Sequence, residues 1–231
     1  MFRNEYFTAN KVTILSMGIS DMETVKFYFW VDQKDDYCAQ LTEVKRFYFK
    51  TKIDQPSLIE QYPADLVDSE ITMHLYTHIL MLAQQLRNQI YTFLQDNLKR
   101  QQLPSQNLNY RTVVRLFGMF LSADVAKTMN VAEMQQLYYL AETIKSGNER
   151  AVQKLQQLRP DFFRSQADPL DFSGNSLSSH LDVFTSVYTN QAALLINELD
   201  LLNFERSAQT FWQQIPETLA IEQESLLALL G

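Results

Sequence analysis

The residues best suited to chemistry in this sequence are histidines, and two of them lie four positions apart. His74 and His78 are spaced so that both rings fall on one face of a helix, within reach of a single ion. Glu70 lies one turn earlier on the same face, and His180 lies near the start of a later predicted helix. Because helix bundles build metal sites from inward side chains on facing helices, these four residues are a candidate site for a divalent metal.

The sequence lacks the other common catalytic patterns. The histidine pair reads HLYTH rather than H-E-x-x-H, so no general base accompanies it, and two histidines on a helix also suit the polar edge of a core. Cys38 is the only cysteine, and no G-x-S-x-G, G-x-x-x-x-G-K or G-x-G-x-x-G motif occurs. Whether the protein is an enzyme stays uncertain. The pattern favours a non-enzymatic protein without a cofactor, and the alternative is a metal-dependent helical-bundle enzyme or metal sensor using His74, His78 and His180.

A long helix is predicted to carry the histidine pair. From about residue 65 to 102 the chain has no glycine or proline, and its apolar residues recur every three to five positions. Further helices are predicted over about 109–127, 131–146, 149–158 and 177–205, with a shorter pair after that. Asn130 with Glu133 has N-cap spacing, and Gly147 suits a left-handed helix C-cap. The segment 159–176 is rich in turn residues and predicts a loop and an internal boundary.

The N-terminal part has the pattern of strands. Residues 11–19, 25–32 and 44–52 are rich in β-branched and aromatic residues, and polar stretches separate them. The predicted fold class is α+β, predominantly α: a small N-terminal antiparallel β-meander packed on, or leading into, a bundle of five to seven helices. The predicted parts are a β-rich segment at 1–56 and a helical bundle at 57–231, which together could form one domain.

One face of the predicted meander mixes aromatic and basic side chains. The expected partner-binding residues on this face are Tyr28, Trp30, Arg46, Tyr48 and Lys50. The alternative is that the helices cover this face. A third possibility is nucleic-acid binding through the basic aromatic strand 44–52, although the strand lacks the glycine of RNA-binding sheet motifs. The sequence therefore favours a protein–protein interaction protein: an adaptor, regulator or assembly factor acting through helical and sheet surfaces.

The acidic charge is concentrated at one end of the chain. The net charge is −7, and residues 165–231 hold nine acidic residues against a single basic residue, Arg206. Such a field favours a basic protein partner and opposes nucleic acid and anionic lipid. The long helix and the leucine-rich end suggest a homodimer. The chain shows no signal-peptide pattern and no apolar stretch long enough to span a membrane, so a cytoplasmic location is expected.

Overall fold

Helices dominate the architecture. The computed structural model describes residues 24–104, 108–120, 130–163 and 194–230. Its elements in chain order are β1 Thr24–Tyr28, α1 Val31–Thr51, α2 Gln55–Ile59, α3 Ala64–Arg100, α4 Tyr110–Phe120, α5 Val131–Ser146, α6 Glu149–Leu158, a 3-10 turn Pro160–Phe162, α7 Glu198–Gln214, β2 Thr218–Glu222 and α8 Gln223–Leu230. The predicted α+β, predominantly α fold class is confirmed.

The small sheet joins two distant parts of the chain. Strand β1 pairs antiparallel with β2, and Phe27 lies directly opposite Leu219. Val25, Phe27 and Phe29 are buried and Tyr28 and Trp30 lie on the opposite face, as the alternation in this segment predicts; that opposite face is exposed. The predicted first strand, residues 11–19, lies outside the described residues. The partner of β1 is therefore a C-terminal strand that the sequence analysis did not identify.

The predicted strand at residues 44–52 is wrong, because this segment forms the end of helix α1. Its aromatic residues suit a strand, but the buried residues of α1 follow a helical period. Tyr37, Leu41, Val44 and Tyr48 are buried at spacings of three or four. These four side chains form one apolar stripe along α1. Burial of that stripe outweighs the local β propensity of the segment.

The long predicted helix is confirmed as α3. It is flanked by α1, α5 and α7, so its apolar residues enter the interior. The predicted left-handed cap at Gly147 is also confirmed, with a φ of 58°, and its N–H donates to the Thr143 carbonyl. Asn130 is the residue before α5, as predicted, but its side chain makes no capping hydrogen bond.

Aromatic rings fill the centre of the core around Trp212. This side chain is fully buried, and its ring centroid lies 5.1 Å from that of Phe29, 4.8 Å from that of Tyr37 and 6.1 Å from that of Phe93. Its Nε1–H donates to Oε1 of the buried Gln89 at 2.7 Å. Trp212 therefore ties α7 to the end of β1, to α1 and to α3.

Candidate functional site

Two stacked aromatic side chains stand on the surface where β1 ends and α1 begins. Trp30 is 58% exposed and Tyr28 is 37% exposed. Their ring centroids lie 6.0 Å apart, with an angle of 15° between the ring planes. Val31, the first residue of α1, adds a further apolar side chain that is 56% exposed. We call Tyr28, Trp30 and Val31 the aromatic patch.

The backbone beneath the aromatic patch is held on both sides. On one side the Phe29 N–H donates to the Glu217 carbonyl at 2.9 Å, which extends the pairing with β2. On the other side the buried Asn97 of α3 binds both backbone groups of Tyr28. Its Oδ1 accepts from the Tyr28 N–H at 2.7 Å, and its Nδ2 donates to the Tyr28 carbonyl at 3.2 Å. With Phe29 anchored in the core, the exposed rings stand on a fixed support.

Three of the five predicted partner-binding residues lie elsewhere. Arg46 and Lys50 are exposed on α1, and a helix rises about 24 Å over the sixteen residues from Trp30 to Arg46. The Arg46 guanidinium forms an ion pair with Glu43. Tyr48 is 4% exposed, and its hydroxyl donates to Glu198 Oε2 at 3.2 Å. The structure thus brings Tyr28 and Trp30 together and separates them from the other three, because 44–52 is helical.

Two further residues contribute to this surface without a clear signal in the sequence. Val31 reads as an inward-facing strand residue, but the chain turns into a helix there and leaves it exposed. Asn97 falls within the long helix, whose buried residues also include the polar His78 and Gln89, so its polar side chain alone did not mark it.

The candidate metal residues His74 and His78 lie side by side on α3. Their ring centroids are 4.4 Å apart. His78 Nδ1 lies 2.8 Å from the His74 carbonyl, so it carries the proton and leaves a lone pair on Nε2, which is buried without a hydrogen-bond partner. His74 Nε2 lies 3.0 Å from Oγ1 of Thr51, which already donates to the Phe47 carbonyl. His74 Nε2 is therefore the donor in that pair.

The rest of the predicted metal site does not assemble around this pair in the described ranges. Glu70 is exposed, and His180 lies outside the described residues. Among the residues that the structure describes, no group of three or more histidine, cysteine, aspartate or glutamate side chains could hold a metal ion. The metal site therefore stays a prediction that rests on the histidine pair.

A cavity of about 420 Å³ lies between the end of α1, α2 and α3, beside His74. It is lined by Tyr48, Lys52, Ile53, Asp54, Pro56, Ile71 and His74. Two of its polar groups already bind Glu198, since Lys52 Nζ lies 2.6 Å from the carboxylate that also accepts from Tyr48. Burial lowers the pKa of His74, and the neighbouring His78 acts in the same direction, so the imidazole favours its neutral form. The cavity offers few polar groups without a protein partner.

Alkaline pH is expected to destabilise the protein through Tyr48. Burial, together with the Glu198 carboxylate, raises the pKa of Tyr48 from 10.0 to about 12. The unfolded chain then releases the phenolic proton first, so this contribution to stability is complete below pH 10 and is lost as the pH rises toward 12. The total loss from this group is about 2 to 3 kcal/mol. Urea unfolding at a series of pH values should show a shallower alkaline decline for Tyr48→Phe, and identical declines would contradict the assignment.

The comparisons with known proteins identify no relative. No family model, curated protein or solved structure matches the chain. Across the described part of the chain, no helix combines the length and the apolar character needed to cross a bilayer. The case for a function therefore rests on the surface geometry.

Proposed function

We propose that this chain is a non-enzymatic protein–protein interaction protein of the cytoplasm, an adaptor, regulator or assembly factor, that binds its partner through the aromatic patch. The observation that carries the proposal is the exposure of Trp30 on a rigid support. More than half of this side chain faces solvent, although the residue before it is 1% exposed. Tryptophan and tyrosine are the residues that most often dominate binding energy in protein interfaces.

Binding at this patch should cost little conformational entropy, because the groups that would contact a partner are already ordered. The two rings are already stacked, and the backbone beneath them is held by Asn97 and Glu217. A partner that covers Trp30 gains apolar burial without first fixing a mobile loop. An exposed aromatic pair of this kind, next to an exposed valine, favours a binding surface over an ordinary solvated one.

A metal-dependent function is the second candidate, and one observation favours it. Metal-binding histidines usually donate one ring N–H to a protein acceptor and present the other nitrogen to the ion. His78 has this arrangement, because Nδ1 binds the His74 carbonyl and Nε2 is without a partner. Metal analysis of untagged protein, with melting curves in the presence and absence of chelator, tests this candidate.

The two remaining alternatives have less support than the aromatic patch. The strand proposed for nucleic-acid binding is helical, and its Lys45 forms an ion pair with the buried Glu205 at 3.0 Å. For the homodimer, the apolar face of α3 packs against other helices; at the leucine-rich end Leu226 is fully buried and Leu227 is 42% exposed. A second copy is kept as one outcome of the binding experiment.

Trp30→Ala is expected to abolish partner binding and leave the fold intact. The test places a photo-crosslinking amino acid at Val31 in the protein, in the cells that naturally make it. We expect one discrete adduct, and at least a tenfold loss of that adduct when Trp30→Ala is introduced as well. Because Trp30 is largely exposed, this substitution should lower the free energy of unfolding by less than about 1 kcal/mol.

Tyr62 provides the matched control, because it is 54% exposed and lies between α2 and α3, just before α3 begins and away from the patch in sequence. Tyr62→Ala should leave the adduct unchanged, and the photo-crosslinker at Tyr62 should not give the same product. An adduct of twice the mass of the chain would identify a homodimer. An adduct that persists in Trp30→Ala would overturn the proposal.

A further inference from the structure

The surface around the aromatic patch carries acidic side chains that are not neutralised within the described structure. Asp32, Asp35 and Asp36 lie on the first turns of α1, directly after the patch, and all three are exposed. Glu217 is also exposed, and its carbonyl pairs with the residue between Tyr28 and Trp30. No described cation lies within ion-pair distance of these four carboxylates. We call these four residues the acidic rim.

The acidic rim differs from the acidic residues of helix α7. In α7 the carboxylates of Glu198, Asp200 and Glu205 form ion pairs with Lys52, Arg159 and Lys45. These three carboxylates of α7 are thus compensated where they pack against the bundle. The four carboxylates of the acidic rim have no such ion pair among the described residues.

The nearby lysines do not cancel the acidic rim. Lys34 is turned inward, with its Nζ 2.6 Å from the Ile215 carbonyl and 5.5 Å from the centre of the Phe29 ring. Lys26 is exposed on the outer face of β1, opposite Ala220. Lys34 keeps its positive charge, since its described partners are neutral, so four carboxylates stand against two lysines around the two rings. The local field favours a positively charged ligand.

We infer that the occupant of the aromatic patch is a basic, arginine-bearing segment of a protein partner, an inference that rests on the proposed function. One face of Trp30 is covered by Tyr28, and its high exposure leaves the other face open. A guanidinium stacks flat on an indole ring, and its remaining N–H groups can bind carboxylates of the rim. Lysine lacks the planar group and should bind less well.

The experiment titrates the full-length protein with a synthetic nonapeptide that contains three arginines separated by glycines. Matched peptides replace each arginine with lysine or with citrulline, which keeps the shape of the side chain and removes its charge. We expect calorimetry to show binding of the arginine peptide, several-fold weaker binding of the lysine peptide, and at least tenfold weaker binding of the citrulline peptide.

The protein variants test the contributions of the aromatic patch and of the acidic rim separately. Trp30→Ala should lower the affinity for the arginine peptide at least tenfold, while Trp30→Phe should retain part of that affinity. The double variant Asp35→Asn, Asp36→Asn should bind the arginine peptide about fivefold more weakly, and its affinity should depend less on salt concentration. Tyr62→Ala should have no effect. No detectable binding of the arginine peptide, equal binding of the citrulline peptide, or unchanged affinity in Trp30→Ala would each overturn the inference.

Failure of this inference is distinguishable from failure of the proposed function. If the Trp30-dependent adduct at Val31 forms but the arginine peptide does not bind, the patch binds a partner of other chemistry. If the adduct is also independent of Trp30, both proposals are overturned.

Discussion

Trp212→Ala is expected to lower the free energy of unfolding by about 4 kcal/mol, the largest effect that we predict for a single substitution. The side chain is fully buried, and its ring contacts Phe29, Tyr37 and Phe93, which lie on different elements. Its removal leaves a large cavity at the point where these elements meet. It also leaves Gln89 Oε1 without its 2.7 Å donor in the interior.

The matched control for Trp212→Ala is Trp30→Ala, since these are the only two tryptophans in the chain. The same atoms are removed in both variants, but Trp30 is 58% exposed and Trp212 is fully buried. Urea unfolding followed by circular dichroism is the suitable measurement, because fluorescence would change with the tryptophan itself. Similar losses of stability in the two variants would contradict this account of the core.

The helical part of the fold could be predicted because its signals are local. An uninterrupted run without glycine or proline marked α3, and a single glycine marked the end of α5 at Gly147. Both follow from the periodicity and backbone preference of neighbouring residues. The alternation of Val25, Phe27 and Phe29 with Tyr28 likewise predicted which side chains of β1 share a face, while it left open whether the face of Tyr28 is exposed or covered.

The sheet could not be predicted in the same way, because its pairing is long-range. Strand β1 pairs with residues 218–222, and the sequence of neither strand indicates which segment it pairs with. In the segment 44–52 the local signal was misleading, since its aromatic residues favour a strand when they are considered without their neighbours. The buried stripe that begins upstream at Tyr37 and Leu41 continues into this segment with Val44 and Tyr48, and its burial decides the helical conformation.

The candidate surface was therefore predicted only in part. The placement of Tyr28 and Trp30 on one face follows from strand alternation, which acts over a few residues. The prediction that Arg46 and Lys50 lie beside them is wrong, because the segment 44–52 was assigned to a strand and is helical. The support given by Asn97 depends on a contact across 69 residues, which a single sequence does not reveal.

Lys45→Met is expected to lower the free energy of unfolding by about 3 kcal/mol, because it leaves a buried carboxylate without its cation. The Glu205 side chain is 5% exposed, and Lys45 Nζ lies 3.0 Å from its Oε1. After the substitution, the amide of Gln209 is the one described donor left to this carboxylate, at 2.7 Å. An amide donor does not compensate a full negative charge in the interior. Glu205→Gln in the same protein should restore most of the lost stability, since it removes the charge itself.

Lys52→Met supplies the matched control for this last prediction. It removes the cation from the Lys52–Glu198 pair, which also joins α7 to the region at the end of α1, with side chains 50% and 33% exposed. Because water can solvate the Glu198 carboxylate, we expect a loss of no more than about 1 kcal/mol. Urea unfolding at pH 7 of both single variants and of Lys45→Met with Glu205→Gln separates the two environments. Two outcomes would contradict the claim that Lys45 compensates the charge of the buried Glu205 carboxylate. One is an equal loss of stability in the two lysine variants, and the other is no recovery in the double variant.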